Sequence, residues 1–112
     1  MMEGRLVLVS CTAPREKFWG VLLSLTPTGV TIRGLSLETY EDWLRERTTG
    51  GSPLLGPVTL FLPSRRIERI EVDESVGTVE GLGERFARLV GRDPRDELLP
   101  GVGEPSAEEP DN

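Results

Sequence analysis

Between Arg5 and Cys11 the run Leu6-Val7-Leu8-Val9 is apolar on both faces of an extended chain, which predicts a strand covered on two sides. After a polar turn at Pro14 to Lys17, the residues Trp19, Val21, Leu23 and Leu25 alternate with others from Phe18 to Thr26. A second strand is expected there, with its odd face in the core. Gly20, on the opposite face beside Phe18 and Leu22, permits a sharp bend or a close backbone approach. Thr26-Pro27-Thr28-Gly29 places proline at the second position of a turn, so Val30 to Leu35 should fold back as a hairpin partner.

The period then changes. Leu37, Tyr40 and Leu44 are three and four residues apart, and Thr39-Tyr40-Glu41-Asp42 has the form of a capping box, so a short helix is expected over residues 37–47. A helix this short needs something to dock on. Thr48 to Pro53 reads as a loop, and Pro57 to Leu62 as a fourth strand that Pro63 ends. The spacing of Ile67, Ile70 and Val72 predicts one helical turn over residues 64–68 and a brief fifth strand. Val79, Leu82, Phe86, Leu89 and Val90 form a helical stripe with acids early and arginines late. Gly81 and Gly83 weaken its first turn, Gly91 is a natural C-cap, and Asp93-Pro94 opens a further short turn. Beyond Pro100 only Val102 offers a substantial aliphatic side chain, so an unstructured acidic tail is expected over residues 100–112.

The 112 residues suit one domain, and the longest apolar stretches fall far short of the roughly 20 residues of a membrane-spanning helix. A lone cysteine, Cys11, and no recognisable leader point to a reducing interior, so a cytoplasmic location and no membrane partner are expected. Histidine is absent, which removes histidine-based triads and most catalytic zinc sites. Cys11 then lacks an imidazole base, no glycine-rich phosphate loop is present, and no carboxylate pair is placed in a pocket. The chain is therefore expected not to be an enzyme, with no catalytic residue, metal, cofactor or small-molecule substrate. Its formal charge is -6, but Glu104, Glu108, Glu109 and Asp111 lie in the tail, which leaves the remainder at about −2.

Phe18-Trp19-Gly20-Val21-Leu22, Gly29-Val30-Thr31-Ile32 and Val58 to Leu62, with Ile67 and Ile70 following, resemble the strands of the Sm and Sm-like family across residues 5–73. The resemblance implies a mostly β fold: a small, five-stranded, strongly bent Sm-like (SH3-like) barrel over residues 1–76. The residue pattern departs from the family in two places: a short helix at about 37–47 is expected in the connection before the fourth strand, and a C-terminal helical segment over residues 77–99. Family members that bind uridine-rich RNA carry an aspartate and an asparagine around the turn after the second strand. That turn here is Thr26-Pro27-Thr28-Gly29, so the implied member is divergent and lacks the uridine pocket.

Two functions from different classes follow as expectations. One is a non-catalytic assembly or protein-interaction module, joined to further copies of itself or to another protein through exposed strand edges, with Tyr40, Trp43 and Leu44 as interface candidates. Trp43 has two readings, packing on its own chain or contacting a neighbour. The alternative is an oligomeric RNA-binding ring that uses Arg33, Arg65, Arg66 and Arg69. The plainer reading of those arginines is surface pairing with Glu68, Glu71, Asp73 and Glu74.

Overall fold

The computed structural model describes residues 2–50 and 53–99; the tail expected to be unstructured lies outside the described residues, as do Gly51 and Ser52 of the expected loop. Five strands form one antiparallel sheet: β1 (Leu6–Cys11), β2 (Glu16–Thr26), β3 (Gly29–Ser36), β4 (Val58–Pro63) and β5 (Ile67–Val72), in the order β4-β3-β2-β1-β5. Helix α1 (Leu37–Thr49) joins β3 to β4, a 3-10 turn (Ser64–Arg66) joins β4 to β5, and α2 (Leu82–Val90) and α3 (Pro94–Leu98) follow.

The order itself forces curvature. β4 and β5 stand at opposite edges, about 19 Å apart if five strands at ~4.8 Å spacing lay flat. Yet three residues connect them, a reach of roughly 13 Å even when fully extended. The sheet must therefore curl until its edges approach at that end. Among the described residues β4 and β5 do not pair with each other, so the expected barrel is present only as one open, curled sheet of five strands.

The curl separates two cores. Inside it lie Val7, Val9, Cys11, Leu22, Val30, Ile32 and Leu62, all from strands. On the outer face Trp19, Val21 and Leu35 meet Tyr40, Trp43, Leu44, Phe86 and Leu98 from the three helices. β1 is thus covered on both faces, as its apolar run requires, and by its own chain. Gly20 pairs with Gly34 across β2 and β3, and a Cβ on either would run into the other strand's backbone. The close approach allowed by Gly20 is real, and Gly34 is its unforeseen counterpart.

Three expectations need correction. The odd face of β2 is buried only at Trp19 and Val21; a register shift between Leu22 and Ser24 breaks the alternation, and Leu23 and Leu25 are exposed. A bulge inserts a residue and so undoes period two. Helix α1 begins at Leu37 after Ser36, not at a capping box around Thr39, and the Ser36 and Thr39 hydroxyls bond each other at 2.9 Å. The buried side of α2 is carried by Phe86, while Val79 and Leu89 are exposed.

Candidate functional site: an uncharged edge and a basic end

Helix α1 sets Tyr40, Trp43 and Leu44 on one face because they fall three and four residues apart. That face docks on the sheet. Trp43 stacks on Phe86, with centroids 4.8 Å apart and an interplanar angle of 18°, and leans on Trp19 at 5.8 Å. Tyr40 meets Trp19 edge to face at 5.1 Å, and its hydroxyl donates to the Leu82 carbonyl at 2.7 Å. Burial pushes the Tyr40 phenol up to about 12. The three side chains are only 2 %, 1 % and 3 % exposed. As interface candidates they offer no surface: of the two readings of Trp43, the structure shows packing on its own chain.

The four arginine candidates are dispersed in role. Arg33 lies on the outer face under α3, where its Nε donates to the Leu98 carbonyl at 3.0 Å and its Nη1 to Thr59 Oγ1 at 3.4 Å, away from the other three. Arg66 is a clamp. It donates to the carbonyls of Thr12 at 3.0 Å and Pro14 at 2.8 Å and to Glu16 Oε1 at 3.0 Å, while Thr12 N donates back to the Arg66 carbonyl. Arg69 pairs with Glu71 at 3.1 Å, in line with surface pairing. Among the described residues Arg65 has no ion pair.

Strand pairing adds two cations that sequence spacing did not single out. Ser10 is opposite Lys17 on β2 and opposite Arg69 on β5, so Lys17 and Arg69 flank it on one face. The Arg66 clamp holds the β1–β2 turn, with Arg15, against the 3-10 turn. Arg15, Lys17 and Arg65 gather at this end, exposed and without a carboxylate partner among the described residues. Residues 15 and 65 are far apart in sequence, and the Arg66 clamp joins the two turns that carry them.

At the other side of the sheet β4 is an edge strand without a single charge, Val58-Thr59-Leu60-Phe61-Leu62-Pro63. Val58 is 49 % and Phe61 56 % exposed. Gly29 pairs with Pro63, and Ser64 N donates to the Thr28 carbonyl at 2.9 Å. That bond marks Gly29–Pro63 as a pair not bonded directly, and alternation extends the same state to Thr31–Phe61 and Arg33–Thr59. The N–H and C=O groups of Thr59 and Phe61 therefore point away from β3. At the flanking outward positions, Pro57 and Pro63 have no N–H to offer. β5, the opposite edge, carries Glu68, Arg69 and Glu71.

A groove of about 570 Å³ between the end of β5 and α2–α3 includes Arg5, Arg92 and Arg95 along with Asp73, Glu84 and Asp93. Its carboxylates are already engaged. Asp73 accepts from Trp19 Nε1, Leu82 N and Gly83 N, Glu84 from the Ser75 hydroxyl, and Asp93 from Arg95. Among the described residues no group of His, Cys, Asp or Glu is arranged to hold a metal ion, and no helix is long and apolar enough to cross a membrane. Cys11 is buried and free, and burial pushes its thiol up.

No family model, curated protein or solved structure matches this chain.

Proposed function

We infer that this chain is a non-catalytic assembly or protein-interaction module of Sm-like kind that binds through a sheet edge. The observation that carries this reading is β4: an exposed, uncharged strand with outward backbone groups at Thr59 and Phe61 and two half-exposed apolar side chains. Edges of soluble proteins are ordinarily blunted by charge, as β5 is here, and an unblunted edge is a template for another strand. Open strand edges also suit the Sm-like reading, in which a curled sheet continues into the next copy.

The test is molar mass by light scattering across a range of concentrations, with Phe61→Lys alongside. A mass above that of one chain, reduced by the lysine, supports the reading. A single-chain mass at tens of micromolar, with no partner captured by the parent and lost by the variant, removes it.

A second reading is supported by the basic end. Arg15, Lys17 and Arg65 are three exposed cations without a carboxylate partner among the described residues, a basis for local contact with RNA phosphate despite the acidic whole. RNA binding of this kind weakens steeply with salt and should drop when Arg65 and Lys17 are both replaced by glutamine. Absence of retention on uridine-rich or adenine-rich RNA at low salt removes this second reading.

A further inference from the structure

We propose that the partner of β4 is β4 of a second copy, paired antiparallel about a two-fold axis that passes through Leu60. The inference rests on the edge-binding reading above and adds to it the occupant and the register.

The strand is self-complementary in a single alignment. Its outward N–H groups are those of Thr59 and Phe61, bracketed by Pro57 and Pro63. Centring the pair on Thr59 would oppose Phe61 to Pro57 of the other copy, and centring it on Phe61 would oppose Thr59 to Pro63. Either leaves donors or acceptors without a counterpart. Centring on Leu60 opposes Thr59 to Phe61 and Phe61 to Thr59, so that every outward N–H meets a carbonyl, through four hydrogen bonds in all by alternation.

Side chains follow the same symmetry. On the outer face Thr59 of one copy lies beside Phe61 of the other, and on the inner face Leu60 meets Leu60 while Val58 meets Leu62. The half-exposed Val58 and Phe61 are the residues such a contact covers. Charge decides between the two available edges. An antiparallel β4 strand laid on β5 would bond to the outward backbone groups of Ile70 and its neighbours two residues away. Leu60 would then lie beside Arg69 or Glu71, which already pair with each other in solvent, whereas a second β4 brings no charge to be desolvated. A two-fold contact also closes on itself, giving a dimer with one continuous ten-stranded sheet in place of a ring.

Cysteine pairs introduced into the full chain test the register. In this alignment Leu60 and its counterpart form a pair not bonded directly, whose Cα atoms lie about 4.5 Å apart, within the Cα separation a disulfide spans. Leu60→Cys, oxidised at low micromolar concentration, should run as a reducible dimer in about tenfold greater yield than Leu54→Cys, which is highly exposed and reports random collision. The parent, whose Cys11 is buried, sets the background. Because Leu60 contributes to the inner core, a second experiment uses exposed positions. Thr59→Cys and Phe61→Cys chains, mixed, should cross-link to each other more than either does to itself.

Both results support the two-fold pairing. An oligomer whose Leu60→Cys chain links to an Arg69→Cys or Glu71→Cys chain and not to itself overturns the pairing while keeping the edge-binding reading. A single-chain mass without cross-linking at any concentration overturns the pairing, and if in addition no partner is captured by the parent and lost by Phe61→Lys, it overturns the edge-binding reading as well.

Discussion

The indole N–H of Trp19 donates to Asp73 Oδ2 at 3.0 Å, across fifty-four residues of sequence. The same carboxylate accepts from Leu82 N at 2.9 Å and Gly83 N at 2.7 Å. The residue at the N-cap position of α2 is Gly81, which has no side chain to cap with, so the cap comes from the end of β5 instead. One aspartate fastens the outer-face tryptophan and the first turn of α2 to the same point. Asp73→Ala orphans a buried indole N–H and removes the cap, and should cost about 2 to 4 kcal/mol. Urea unfolding followed by tryptophan fluorescence measures it, and Asp73→Asn should recover part of the loss.

Trp43→Ala removes the centre of the aromatic cluster and should cost roughly 3 to 5 kcal/mol of stability, as large-to-small core changes do. Oligomeric mass at a concentration and temperature where the variant stays folded should not change. A variant that melts like the parent but loses mass would return Trp43 to the interface.

Gly34→Ala should be worse than its single methyl suggests. The added Cβ meets the Trp19 carbonyl and the Gly20 Cα, both backbone, which cannot swing aside as a side chain would. A loss of at least about 2 kcal/mol is expected. The denaturation midpoint, or failure to accumulate as soluble protein, reports it.

Tyr40 provides a pH signature. Its folded-state value, raised by burial to about 12, lies above the unfolded value near 10. For a group raised on folding the contribution is fully present below pH 10 and is lost as pH climbs through 12, because the unfolded chain gives up the proton first. Stability should therefore fall by up to about 3 kcal/mol across that window. Tyr40→Phe cannot ionise and should lack this part of the slope; identical pH profiles would exclude a buried, protonated phenol.

Local patterns in the chain predicted the five strands, the two-residue hairpin loop after Thr26, the tight turn after Pro63 and the helices, because each depends on periodicity or on a proline or glycine near its end. What escaped depends on long-range pairing. The bulge after Leu22 exists only in the register of β2 with β3, so Leu23 and Leu25 looked like core. The helical face of Trp43 was legible, but not the Phe86 ring against it. Lys17 is unremarkable beside Glu16 until β1 pairs with both β2 and β5 and sets it and Arg69 on either side of Ser10. The capping role of Asp73 had no local signal at all.

The strand order also has a consequence for the order of synthesis. β1 can zip to β2 as soon as residue 26 is available, but its other edge waits for β5, which ends at Val72. At translation rates of ~5–20 residues per second, that edge stays unpaired for several seconds on the ribosome. The uncovered strand carries Leu-Val-Leu-Val, an uncharged apolar run of the kind that aggregates through its edge. During those seconds the nascent protein depends on the β2–β3 hairpin to shield one side of β1, and slower elongation between Gly29 and Val72 would lengthen its exposure.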